Sequence, residues 1–228
     1  MCGRYSLFTP QTVLEDRFDV AFEFEFGPRY NATPGQSLPV ITDAEPNVVR
    51  RLEWGLIPRW ADDSATRHIN ARSETVAEKP AFTDAYENRR CLVPSNGFYE
   101  WVEEGTEKQP YRVAFEDDRP FAMAGLWERW TPTTRQTGLG DFGGGVKEKA
   151  ENNPIETFTV LTTEPNEVVE PLHHRMAVIL EQSSEDAWLA GEAISCEPTP
   201  ADAFHAYPVS EAVNNPKHDS VELIQPIN

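Results

Sequence analysis

Thr9-Pro10 stands just ahead of Val13, Leu14 and Phe18, whose spacing puts them along one side of a short helix. Threonine before proline in a first turn reads as a helix start, with Thr9 as N-cap. Beyond it the periodicity changes. Residues 38–41, 48–54, 91–93, 98–102, 111–115, 121–127, 158–163 and 176–180 are short runs of β-branched and aromatic residues bounded by Pro, Gly, Asn or Asp, and they predict strands. Helical spacing returns at 81–88 and at 184–189, the latter with Ser183 or Ser184 as cap and Gly191 as stop. The elements do not alternate as strand, helix, strand, so a doubly wound parallel sheet is not expected. The pattern predicts an α+β fold with a mostly-β, barrel-like core and inserted helices, forming a single domain over 1–228.

The segment 131–154 is polar and glycine-rich without sustained periodicity, and is expected to be a flexible insertion. Its Gly143-Gly144-Gly145 run is no phosphate loop, because neither the GK[ST] ending nor a following helix is present. There is no internal repeat.

Composition narrows the function classes. With 39% hydrophobic residues the 228-residue chain can bury a core. No apolar run approaches the roughly 20 residues of a membrane span, and Met-Cys-Gly-Arg-Tyr lacks the build of a signal peptide, so a cytoplasmic protein without membrane contact is expected. The three cysteines, Cys2, Cys91 and Cys196, have no CxxC spacing, and with only five histidines neither a metal site nor a disulfide framework is expected. The formal charge of -18 opposes a polyanionic partner, yet it is uneven: residues 1–101 hold 11 Lys+Arg against 15 Asp+Glu, a balance of -4, and residues 102–228 hold 9 against 23, a balance of -14. Acid excess with only five lysines is the composition of a halophile protein. In concentrated salt, screening weakens repulsion and phosphate attraction alike, so binding there must lean on stacking, fixed hydrogen bonds or a covalent bond.

Candidate chemistry starts at the second residue. Removal of Met1 would give Cys2 an α-amine and a thiol on neighbouring carbons, a pair that captures an aldehyde as an imine and then closes a five-membered thiazolidine. The amine is apt, since its ordinary pKa of about 7.7–8.0 leaves a neutral fraction. A frayed terminus is the bland alternative, but Gly3-Arg4-Tyr5 offers close backbone approach, a fork for phosphate and a buried anchor. Asn70 and Arg72 put an amide and a guanidinium two residues apart. Glu100 stands between Tyr99 and Trp101, where desolvation would raise its pKa toward neutrality and suit it to proton transfer; pairing with Arg72 or Arg90 is the alternative. His173 and His174 precede Arg175 just before a predicted strand, as proton shuttles or as a solvated turn. Trp54 to Trp60 sets aromatics beside arginines, a composition for stacking on bases or for core packing. Arg50, Arg51, Arg59, Arg67, Arg72, Arg89 and Arg90 all fall in the less acidic half, consistent with one arginine-lined face.

Taken in order, Met1-Cys2-Gly3-Arg4-Tyr5, Tyr30-Asn31-Ala32-Thr33-Pro34, Trp54-Gly55-Leu56-Ile57-Pro58, Asn70-Ala71-Arg72-Ser73-Glu74-Thr75, the run from Arg90 to Trp101, Ala124-Gly125-Leu126-Trp127 and His173-His174-Arg175-Met176 resemble the SOS response-associated peptidase family. The resemblance extends to Val213-Asn214 and implies a β-rich α+β fold and the processing of abasic sites during the DNA damage response. It implies binding of single-stranded DNA and of single-to-double-strand junctions, and a covalent crosslink between Cys2 and an abasic site in single-stranded DNA. It also implies self-removal of Met1, which gives the peptidase name, and lyase-type chemistry through the imine. By motif, Cys2 resembles the crosslinking nucleophile, Asn70 a group holding the opened sugar, Glu100 the group acting on the α-amine, and His173 the general acid. Arg4, Arg72 and Arg175 would contact phosphates. Asn31, Pro34, Trp54 and Trp101 would line the DNA path. No cofactor is implied, and a monomer is expected. Two positions depart from the family pattern: Ala177 replaces a proline, and His174 replaces an acidic or amide residue. The rival readings are an amide hydrolase using Cys2 as its nucleophile, and a noncovalent binder of single-stranded or modified DNA.

Overall fold

The computed structural model describes residues 2–105, 107–132 and 153–227, so residues 133–152 of the expected insertion lie outside it. The elements are β1 (Tyr5–Leu7), α1 (Gln11–Phe18), β2 (Ala21–Phe22), β3 (Arg29–Ala32), β4 (Ser37–Thr42), β5 (Glu45–Trp54), β6 (Asn70–Arg72), α2 (Thr83–Asn88), β7 (Arg90–Ser95), β8 (Gly97–Glu104), β9 (Glu107–Phe115), β10 (Phe121–Trp130), β11 (Ile155–Thr163), β12 (Met176–Ala177), α3 (Glu185–Leu189) and β13 (Phe204–Pro208). One sheet runs β13-β9-β8-β1-β3. In the other, β10, β7, β4 and β5 follow β11, and β5 then pairs in parallel with β11 at Phe158↔Trp54, closing a five-stranded barrel. Closure removes the free edges that an open sheet would expose.

Four of the barrel strands, β4, β7, β10 and β11, are buried on both faces over most of their length and read as largely apolar runs, while β5 keeps exposed residues such as Arg51. Leu38, Leu52, Trp54, Met123 and Phe158 form one core with Phe98, Val113 and Phe204 of the five-stranded sheet. Ile41, Leu92, Ala124, Leu126 and Leu161 point the other way, into a second core closed by Trp188 and Phe82. Gly125 marks a close approach of barrel strands: a Cβ there would lie 2.8 Å from Cys91 Sγ and 2.9 Å from Thr159 O.

Thr9 does not cap α1. Pro10 takes the N-cap position without a side-chain cap bond, and the Thr9 hydroxyl accepts from Asn96 Nδ2 at 2.7 Å. Ser184 takes the N-cap of α3, also without a side-chain cap bond. Of the strand expected over 176–180 only Met176–Ala177 is regular, but Val178 N and Leu180 N donate to Leu161 O and Ala122 O at 2.9 Å, so the segment stays on the sheet. No helix among the described residues is long and apolar enough to cross a membrane.

Candidate functional site

The site forms where the N-terminus is drawn along β8. Antiparallel pairing of Tyr5 with Phe98 and of Ser6 with Gly97 fixes the register, and Tyr99 N donates to Arg4 O at 3.0 Å. The same register carried two residues further brings Gly3 alongside Glu100. Side chains alternate along β8, so Glu100 shares the face of Phe98, which lies in the core, and both are at most 2% exposed. Cys2 is wholly buried in that core, with Tyr5, Trp54 and Cys91. From the barrel side, β6 runs parallel to β11 with Asn70 opposite Val160, and Asn70 Nδ2 donates to Cys2 O at 2.9 Å. Asn70 Oδ1 is buried without a hydrogen-bond partner among the described residues. A buried amide oxygen left this way is costly.

Arg4, Glu100, Trp101, Lys108, His173 and Asn214 line a cavity of about 490 Å³. Burial raises the Glu100 carboxyl to about 7, against the opposing pull of the positive amino terminus. Burial, reinforced by the Glu100 charge, pushes the Cys2 thiol far above its ordinary range and keeps it protonated. His173 is held below its ordinary value, chiefly by burial. Its Nδ1 accepts from Arg175 N at 3.0 Å and lies 3.1 Å from Arg175 O. The turn therefore supplies a donor for the neutral ring and an acceptor for the charged one, leaving Nε2 as the N–H donor in both states. Among the described residues no cluster of His, Cys, Asp and Glu could hold a metal.

The structure brings together Cys2, Asn70, Glu100, His173, Arg4 and Trp101. It separates others from any open face. Trp54 is 0% exposed, stacks on Phe158 and donates to Ile69 O at 2.9 Å. Asn31 is 1% exposed, and its Nδ2 donates to the carbonyls of Val213, Asn215 and His218 at 3.2, 3.1 and 2.8 Å. Arg175 is spent on Glu74, with both guanidinium nitrogens on the carboxylate at 2.6 and 2.8 Å. These three residues, read from sequence as DNA contacts, are buried and engaged by partners within the fold, and local sequence carries no sign of the partner each finds. Arg4 shares this character: it donates to Asn31 Oδ1 at 2.8 Å and to the carbonyls of Val213 and Asn214. Pro34 and Arg72 are exposed. Arg90 does not pair with Glu100; it is buried over Trp188 and donates to Glu192 O at 2.6 Å.

Sequence reasoning missed Lys108 and Asn214 as residues of the cavity. Asn214 Oδ1 accepts from the Trp101 indole at 2.7 Å. Trp60, at 64%, is the large aromatic left most exposed among the described residues. Its place past the proline of Trp54-Gly55-Leu56-Ile57-Pro58, where the strand has ended, was the available signal.

The model of the SOS response associated peptidase family matches residues 1–216. The chain is 38% identical over 240 residues to abasic site processing protein YoqW of Bacillus subtilis, covering 99% of both. It is 28% identical to abasic site processing protein YedK of Escherichia coli over the full length of both, and 29% identical to abasic site processing protein HMCES of Gallus gallus, covering 90% of this chain and 68% of that protein. A solved structure of a Bacteroides thetaiotaomicron protein superposes with a TM-score of 0.84 at 25% identity, covering 100% of both chains.

Proposed function

The chain belongs to the SOS response associated peptidase family, and from that premise we propose that it processes abasic sites in single-stranded DNA, including those at junctions with duplex, by capturing the sugar aldehyde on Cys2. The observation that carries the reading is that the second residue of the chain, where a frayed end would be ordinary, is 0% exposed and tied to Asn70 beside a buried carboxyl.

Hydrolysis of the Met1–Cys2 bond comes first and is the peptidase step. Glu100, with its pKa near 7, then takes a proton from the α-ammonium of Cys2. His173 gives a proton from Nε2 to the ring oxygen as the C1–O bond breaks, and the anomeric hydroxyl loses its proton to water, leaving the aldehyde. The amine attacks the aldehyde carbon and water leaves, giving an imine. The thiol adds across the C=N bond, sulfur to carbon and proton to nitrogen, and the thiazolidine closes. A protonated, buried thiol suits this order, in which the amine acts first. It does not suit an amide hydrolase, which needs a thiolate from the start. An imine that eliminates the 3′ phosphate before closure would give the lyase-type outcome.

Intact-mass spectrometry before and after incubation with a single-stranded oligonucleotide carrying one abasic site tests the reading. The expected result is a starting mass without Met1 and a heat-stable gain of one oligonucleotide less water, absent with undamaged DNA and absent in Cys2→Ala. A chain that binds the damaged strand but gains no mass would overturn it in favour of noncovalent binding.

A further inference from the structure

The capture mechanism gives His174 no task, yet its position is specific. Its ring stacks on that of His173 with centroids 4.2 Å apart and planes at 30°. The two rings divide two cavities. His173 lines the reaction cavity, where the charged groups are Arg4, Glu100 and Lys108. His174 lines a separate cavity of about 860 Å³ whose charged groups are Glu164, Glu167, Glu170 and Asp202. The other charged groups acting on His173 are the amino terminus and Arg175, which is next in the chain and paired with Glu74. One imidazole of the stack therefore faces the reacting atoms and the other faces four carboxylates.

We propose that His174 is a positioning residue for the capture reaction, fixing the plane of the His173 ring by stacking and setting the pH at which His173 releases its proton into the reaction cavity. The inference rests on the capture reading for its purpose but on the stacked geometry for its content. Two imidazoles at this distance hold one proton more readily than two, so a charge on the ring facing the carboxylates opposes a charge on His173. Lowered in this way, His173 is a stronger acid toward the sugar oxygen. Burial and the positive amino terminus act on it in the same direction. The Arg175 backbone holds Nδ1 while His174 covers one ring face, so Nε2 is aimed from two sides.

His174→Phe keeps a stacking ring without its charge, and His174→Gln removes both. Because His174 is exposed, neither variant disturbs the core. Imidazole NMR titration in about 0.15 M salt, where screening over 4 Å is incomplete, with His173 assigned through His173→Gln, reads the pair without any DNA. The His173 midpoint is expected to rise by about half a pH unit in both variants, the size of a partly screened charge pair at this separation near water. The pH dependence of adduct formation should move with it, and His174→Gln alone should also slow the reaction across the pH range. A His173 midpoint unchanged in both variants overturns the proposal. If the parent forms no adduct at any pH, the capture reading fails, while the titration still decides whether the pair is coupled.

Discussion

Glu100→Gln should make the protein more stable and less active, and the gain should depend on pH. The side chain is 2% exposed, and burial raises its pKa from 4.5 to about 7. That difference corresponds to about 3 kcal/mol at roughly 1.4 kcal/mol per unit. The folded-state pKa is raised, so the residue costs nothing below pH 4.5, where it is protonated folded and unfolded alike. The cost grows as pH rises through the window from 4.5 to about 7 and is complete above it. Glutamine keeps the shape and never ionises. Urea unfolding of parent and variant at one salt concentration, at pH 4.5 and pH 8, isolates the effect, because other titrating groups cancel in the difference. The variant should gain up to about 3 kcal/mol at pH 8 and match the parent within about 1 kcal/mol at pH 4.5. Adduct formation should fall about 100-fold or more with loss of the base. An equal difference at both pH values, or a parent more stable than the variant at pH 8, would refute the argument that this carboxyl is strained by burial for the sake of proton transfer.

Three other outcomes follow from the packing. Gly125→Ala should cost about 1–3 kcal/mol in urea unfolding, because the new Cβ has Cys91 Sγ and Thr159 O within 2.9 Å and a barrel strand cannot shift alone. Arg175→Lys should cost about 1–3 kcal/mol by losing the two-pronged grip on Glu74 and the bond to Thr162 O at 2.6 Å. Arg175 holds the half-exposed Glu74 carboxyl below its ordinary value, so the pair's contribution is present above pH 4.5, and the deficit of the variant in unfolding assays should shrink as pH falls below it. Trp60→Ala should leave stability within about 0.5 kcal/mol, since the ring is 64% exposed. In fluorescence titrations with an undamaged single strand it should lower affinity about 5-fold or more, the loss of one stacked base.

Much of the fold was readable along the chain. The eight strands expected from apolar runs all lie on sheets, and for most of the barrel strands burial on both faces leaves a strong local signal. The strands that were missed, β1, β2, β3, β6 and β13, are two to five residues long, too short for a periodic signal; β1, β2, β6 and β13 pair with longer strands, and β3 pairs with β1. Two of these, β1 and β6, deliver Cys2 and Asn70, so the elements that build the site were the least legible.

The chemistry of individual side chains was set by the sequence: a thiol at residue 2, an acid between aromatics at 100, and imidazoles at 173 and 174. Residue type decides what a group can do, and the ordered motifs carry that information without coordinates. Which groups meet was decided by tertiary structure alone. Asn31, Trp54 and Arg175 look like Arg72 or Trp60 in sequence, yet the first three are enclosed and the last two are exposed. Burial and hydrogen-bond partners belong to strands brought together from far along the chain. So do the raised carboxyl of Glu100, the protonated thiol of Cys2 and the stacked histidines, because desolvation and charge act through space.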